Sequence, residues 1–234
     1  MCGIIGYVGH RPVAEVLLTG LHRLEYRGYD SAGIAIIDGS GAILERAIRE
    51  NGMSGIDRIA EQLRERGNAA GTGIGHTRWA THGKVTTQNA HPHRDCAGRV
   101  HVVHNGQVTN DADLRRALTG ARHTFRSETD TELIAHAIEE ALATTDDLSV
   151  AIQRALERID GALAIAVISP TQPDRIVCAR RGSPLLIGIG ERETVIASDE
   201  AAIVGITKRI VDLEDGDVAT ITADGIHGVQ RSVR

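Results

Sequence analysis

The sequence predicts an α+β fold in which helices cover sheets of mostly antiparallel strands. Three observations predict it. The first 160 residues interleave strand-like runs with amphipathic stretches of helical period. From Gly161 onward the texture changes to successive strand-like runs. Those runs are joined by short turns of Pro, Gly, Asp and Glu, as antiparallel neighbours allow. A chain of 234 residues, 41% hydrophobic and 24% charged, is long enough to bury a sizeable core as one domain.

Residues 2–9, CGIIGYVG, read as a short buried strand whose glycines admit other backbone closely. Residues 13–26 place Val13, Val16, Leu17, Leu21 and Leu24 on one helical face. RGYDSAG ends that helix, and residues 34–48 read as a β-hairpin across Gly-Ser-Gly. Residues 54–66 form a second amphipathic helix, with Ile56, Ile59, Ala60 and Leu63 inward. Residues 71–98 begin as a strand, then turn into a long polar stretch with four histidines; such a segment inside a compact domain is usually functional. Residues 99–110 are a strand followed by Asn-Gly, a pair that favours tight turns. Residues 111–120 form a short helix capped by Asn110. Thr129-x-x-Glu132 has the pattern of a capping box, and Leu133, Ile134, Ala137, Ile138, Ala141 and Leu142 form the stripe behind it. Another helix carries Leu148, Ile152, Ala155, Leu156 and Ile159 inward. Six strand-like runs then fill residues 162–229.

Composition excludes several classes. A net charge of −5, with one Trp, three Tyr and one Phe, argues against a nucleic-acid binder. No apolar run is long enough for a membrane span, and no basic-then-apolar leader stands at the start. Three cysteines, Cys2, Cys96 and Cys178, do not make a disulfide scaffold, so the expected compartment is the reducing cytoplasm.

Chemistry concentrates at a few places. Removal of Met1 would leave a thiol and an α-amine on Cys2. The amine's reference pKa of about 7.7–8.0 lets it take the thiol proton near neutrality; the plainer alternative is a merely terminal cysteine. In His104-Asn105-Gly106, the side-chain amide of Asn105 and a backbone N–H at Gly106 could form an oxyanion hole, or the pair could simply be a turn. In HTRWATHG, Arg78 offers a forked donor for a carboxylate, Trp79 is the one tryptophan, and Gly83 could hinge a loop. Asp130, in the first turn of a helix, suits either capping or an ammonium group. His91-Pro-His93-x-x-Cys96 brings three metal-ligand types together, but the spacing matches no zinc pattern, and neither a metal nor another cofactor is expected.

The motifs MCGIIGYVG, LHRLEYRGYDSAGIAI, GHTRWATHG, NAHPH, VVHNG and SETDTE stand in the order found in class II glutamine amidotransferases of the N-terminal-nucleophile type. The resemblance spans nearly the whole chain. EYRGYDSAG and TRWATHG are its most specific pieces; they resemble the glutaminase domain of the sugar-type branch, the glutamine–fructose-6-phosphate aminotransferases. It implies a four-layer αββα sandwich and one glutaminase domain over residues 1–234, with the C-terminal sugar isomerase half absent. It implies Cys2 as nucleophile, Asn105 and Gly106 as oxyanion hole, and Arg78, Thr81, His82 and Asp130 around L-glutamine. Arg27 would position the N-terminal residue, and Trp79 would sit on a gating loop. The expected partner is a sugar isomerase domain or subunit that takes the ammonia, with fructose 6-phosphate as acceptor. Two further readings are a glutaminase of the phosphoribosyl-pyrophosphate amidotransferase or asparagine synthetase type, and a silent glutamine-binding module. The sequence departs from the family pattern at Lys84, Val85 and Thr86, and at Asn51-Gly52-Met53.

Overall fold

A computed structural model describes residues 2–38, 41–64, 70–80 and 83–231 of the chain. In chain order its strands and helices begin with β1 (Gly3–Pro12), α1 (Val13–Leu24), a 3₁₀ turn (Glu25–Arg27), β2 (Ser31–Asp38), β3 (Gly41–Ile48), α2 (Gly55–Leu63) and β4 (Ala70–Arg78). Next come β5 (His93–Arg94), β6 (His101–Val108), α3 (Asp111–Gly120), α4 (Thr131–Leu142) and α5 (Leu148–Leu156). The last part holds β7 (Gly161–Ser169), β8 (Gln172–Arg181), β9 (Leu186–Ile189), β10 (Glu193–Ala197), β11 (Ile210–Asp212), β12 (Asp217–Thr222) and β13 (Gly225–Arg231).

Two sheets form, of order β11-β9-β10-β1-β4-β2-β3 and β13-β12-β8-β7-β6-β5, and every strand pairing in both is antiparallel. Alternation along each strand sorts side chains between two faces. On β1, Ile5 and Tyr7 join Leu17, Leu21 and Ile59 under α1 and α2, whereas Ile4 and Val8 meet Ile176 and Ile196 between the sheets. On β6, Val102 packs with Leu133, Ile134 and Ile138 of α4, and Val103 faces the other sheet. Three apolar layers therefore separate four structural layers, α-β-β-α, as the resemblance implies.

Several local expectations are corrected. The glycines of β1 admit side chains rather than backbone: a Cβ on Gly6 would meet Ile196 Cγ1 at 2.7 Å. Asn105-Gly106 is not a turn. Both residues lie inside β6, opposite Ala164 and Leu163 of β7. Asn110 stands at the start of α3 without capping it; its side chain bonds Arg158 O and Asp160 N instead, tying α3 to the segment before β7. Thr129 and Glu132 make no capping box. Glu132 accepts from the N–H groups of Arg126 and Ser127, and Thr129 Oγ1 meets His93 Nε2. Buried polar groups must find partners, and here the incoming loop supplies them better than the helix end does. The Gly-Ser-Gly turn between β2 and β3 falls largely outside the described residues. At residues 51–52, Asn51 and Gly52 have φ values of 52° and 79° between the paired Glu50 and Met53, as a tight two-residue turn needs.

Candidate active site

Cys2 lies at the mouth of the gap between the two sheets, beside the end of β4. A chain end there would fray unless held. Two donors hold it: Arg27 Nε and Asn105 Nδ2 each donate to the Cys2 carbonyl at 3.1 Å. Arg27 is itself fixed by Asp199 at 3.1 Å, and Asp199 also accepts from Tyr26 at 2.8 Å. The next strand residues are locked by Ser198, whose Oγ accepts from Ile4 N. The Trp79 N–H points at Cys2 Sγ from 3.4 Å, and Sγ faces Trp79 O at 3.7 Å. Burial pushes the Cys2 thiol up, against the opposing pull of the Trp79 N–H, Arg78 and Arg27. At neutral pH the thiol therefore rests protonated and needs a base beside it. The other cysteine of the inter-sheet core, Cys178, is fully buried with its thiol pushed up to about 12, which makes it inert.

Asn105 is aimed from below. His76 Nε2 lies 3.1 Å from both His104 O and Asn105 Oδ1. Both partners are acceptors, so Nε2 carries the hydrogen and Asn105 must turn its NH₂ toward Cys2. Burial keeps His76 neutral, with a pKa near 3. Gly106 has φ of +138°, and a Cβ there would come within 2.0 Å of Ala162 O. Only glycine fits this position, which leaves the backbone at Gly106 open to the cleft.

Cys2, Arg78, Trp79, Gly106 and Asp130 line one narrow cleft, with His91, His104, Thr129 and Thr131 completing its wall. Roomier clefts lie on the outer side of α1, but neither reaches Cys2. Arg78 is buried; one guanidinium nitrogen donates to Lys84 O, and Asn89, Glu128 and the Lys84 backbone tie that loop down. Asp130 stands immediately before α4 rather than in its first turn. Its Oδ2 accepts the Val108 N–H at 2.9 Å, and Oδ1 lies 3.9 Å from His104 Nδ1. Trp79 is half exposed and packs edge-on against Tyr29. The predicted Thr81 and His82 lie outside the described residues. Sequence reasoning missed His76, which turns Asn105, and Asp199, which fixes Arg27; it also missed Ser198, which holds Ile4, and Thr131, which joins His104 and His91. His91 and His93 do not join Cys96. His91 stacks on His76 at 4.1 Å and contacts Thr131 in the cleft wall, and His93 packs edge-on behind it.

A rigid amide beside Cys2 predicts a specific effect. In the oxyanion role that the resemblance implies for Asn105, Asn105→Ala is expected to lower turnover by about 10²–10³-fold with little change in KM, the usual cost of losing one such donor. Steady-state ammonia release measures it; a large rise in KM alone would mean that Asn105 only binds.

Two facing antiparallel sheets between helices, with a cysteine held at the head of the first strand beside an amide and an arginine, define an amidotransferase of the N-terminal-nucleophile class. The family described as "Glutamine amidotransferase domain" matches residues 76–205, and the chain belongs to that family. It is 46% identical over 224 residues to the glutamine–fructose-6-phosphate aminotransferase [isomerizing] of Thermococcus kodakarensis, covering 96% of this chain and 36% of that protein. A protein of the same name from Xanthomonas campestris is 48% identical over 97% of this chain and 36% of its own. The chain thus spans about a third of the length of these relatives. Among solved structures, the glutamine phosphoribosylpyrophosphate amidotransferase of B. subtilis superposes with a TM-score of 0.83 at 26% identity, over 99% of this chain and 49% of that one. A glutamine aminotransferase class-II domain protein from Silicibacter pomeroyi shares the fold over the full length of both chains, at a TM-score of 0.68 and 18% identity. Among the described residues no helix is long and apolar enough to cross a membrane.

Proposed function

We propose that residues 1–234 act as one glutaminase unit, hydrolysing L-glutamine to glutamate and ammonia for a sugar-phosphate acceptor handled by a further domain or subunit. The observation that carries this is the convergence on Cys2: its carbonyl is gripped by Arg27 and Asn105, and its thiol faces the cleft lined by Arg78 and Asp130. Arg78 offers a fork for the α-carboxylate, and Asp130 a negative charge for the α-ammonium. Recognition of both groups selects free glutamine over glutamine within a peptide. With Met1 removed, the α-amine of Cys2 takes the thiol proton, and Sγ attacks the γ-carboxamide carbon. Asn105 Nδ2 and the Gly106 N–H receive the oxyanion. The protonated amine then gives its proton to the leaving nitrogen, which departs as ammonia, leaving a γ-glutamyl thioester on Cys2. Water, activated by the same amine, attacks the thioester and releases glutamate, restoring the thiol. No step calls for a metal or organic cofactor. The names of the closely similar aminotransferases support fructose 6-phosphate as the acceptor in the whole enzyme.

Glutamine titration with ammonia detection tests the reading. Saturable release of ammonia supports it; saturable binding of glutamine with no ammonia would favour a silent binding module. In the same assay Arg78→Lys is expected to lower kcat/KM by about 10–100-fold, chiefly through KM, because a charged hydrogen-bond pair is worth about 1.5–3 kcal/mol. An unchanged KM would take the carboxylate away from Arg78.

A further inference from the structure

Outside the cleft, four metal-ligand side chains meet on the far side of the second sheet: Cys96, His123, His136 and Glu139, with their donor atoms all within 4.8 Å of one another. Three separate stretches bring them there. Cys96 sits in the loop between β5 and β6. His123 is delivered by the end of α3: Arg122 adopts φ of 71°, its N–H bonds Thr119 O, and the His123 N–H bonds Leu118 O, a closing turn that aims the next side chain back at the helix. His136 and Glu139 are three residues apart on α4 and so share a face.

We infer that Cys96, His123, His136 and Glu139 form a closed, four-coordinate structural zinc site. The spacings match. Tetrahedral zinc with Zn–S near 2.3 Å and Zn–N or Zn–O near 2.0 Å sets sulfur-to-nitrogen separations of about 3.6 Å and nitrogen-to-oxygen separations of about 3.3 Å. Cys96 Sγ lies 3.6 Å from His123 Nδ1 and 3.7 Å from His136 Nδ1. Glu139 Oε2 lies 3.0 Å from His123 Nδ1 and 3.2 Å from His136 Nδ1. The surroundings match as well. Both imidazoles aim Nδ1 inward and turn Nε2 toward a carboxylate, His123 to Glu140 at 3.4 Å and His136 to Glu132 at 3.8 Å. Ligating histidines in metalloproteins are oriented by such outer carboxylates. The Thr124 N–H donates to Cys96 Sγ at 3.5 Å, and the Cys96 N–H donates to Glu139 Oε2 at 3.1 Å. A thiolate and a carboxylate within one half-buried cluster carry two negative charges that a divalent cation balances. One sulfur, two imidazoles and one carboxylate suit Zn²⁺ over harder cations, and four protein ligands leave no open position for catalysis. The ion would staple the β5–β6 loop and the end of α3 onto α4, the helix whose first residues wall the cleft.

Metal analysis of the whole chain purified from zinc-supplemented culture tests this. The expected result is about one zinc per chain, retained through desalting. A chelator should lower the melting temperature by several degrees, and added Zn²⁺ should restore it. Replacing zinc with Co²⁺ should give a strong thiolate-to-cobalt charge-transfer band, absent in Cys96→Ser, with zinc content falling in His123→Ala. If the variants fail to fold, the stoichiometry and cobalt spectrum of the unaltered chain still decide. Zinc at trace level with no thermal response to Zn²⁺, or zinc retained in both variants, would overturn the assignment and leave a hydrogen-bonded thiol–imidazole–carboxylate cluster.

Discussion

Cys2→Ala is expected to reduce glutamine hydrolysis by about 10⁵–10⁶-fold, the scale on which removal of a catalytic nucleophile acts. The expectation rests on the absence of a substitute: Cys178 is sealed in the inter-sheet core, and Cys96 lies in a loop on the far side of the second sheet. The fold should be untouched. Cys2 is only half-buried, and its carbonyl, not its thiol, takes the bonds from Arg27 and Asn105. A circular dichroism spectrum and a melting curve equal to the parent's would therefore accompany the loss. A second arm separates nucleophile from base. Because burial holds the Cys2 thiol up, activation depends on the α-amine. A residue left ahead of Cys2 should cost about 10²–10⁴-fold, the range of a lost general base, with the thiol intact. Intact-mass measurement tells the processed from the unprocessed chain. Ammonia release by Cys2→Ala near the parent rate would remove Cys2 from the chemistry altogether.

The residues that would touch substrate were more legible than those that hold them, for a physical reason. Cys2, Arg78, Asn105, Gly106 and Asp130 carry unusual chemistry in short motifs, so they stand out in one dimension. His76 does not. It is a histidine in a strand, and its task of turning the Asn105 amide depends on β4 and β6 facing each other across the sheets. Asp199 likewise acts on Arg27 across 172 residues of sequence. The layers were legible because alternation along β1 and β6 and the helical stripes of α1 and α4 are strong patterns. Local caps were not, since Glu132 and Asn110 had tertiary partners that outcompeted the nearest helix end. The Asn-Gly pair misled for a related reason: its positive φ is used inside β6, where Gly106 passes Ala162, rather than to reverse the chain. The four-ligand cluster was invisible to spacing rules because its ligands come from a loop, a helix exit and a helix face.

The chain is expected to lose stability steeply between pH 7 and pH 5, and the cause lies behind the cleft. His76 and His93 are fully buried and held neutral by that burial, each with a pKa pushed down to about 3; His91, stacked on His76 and edge-on to His93, is pushed well below its ordinary value by burial. In the unfolded chain each titrates near 6.5. Above that pH both states are neutral and these groups contribute no pH dependence. Below it the unfolded chain takes up protons that the folded chain refuses, so stability falls as pH falls, until the folded pKa is reached. The loss is about 2 kcal/mol each for His76 and His93 between pH 7 and pH 5, or roughly 4 kcal/mol for the two, and His91 adds in the same direction. His136 acts in the opposite direction, since its carboxylate neighbours raise it, and offsets part of the loss. Glu132, held down to about 2, adds its own loss only below its ordinary value near 4.5. Urea unfolding from pH 7.5 to pH 5, with chelator present throughout, measures the slope. His93→Gln, which keeps a polar partner for Thr129 but cannot take up a proton, should remove about 2 kcal/mol of that loss and flatten the slope accordingly. A stability that stays level from pH 7 to pH 5, or a slope unchanged in His93→Gln, would mean that these imidazoles can be protonated in place. The same series separates two acid effects on turnover, because the α-amine of Cys2, with a reference pKa near 7.7–8.0, loses its base function well before the histidine file drives unfolding.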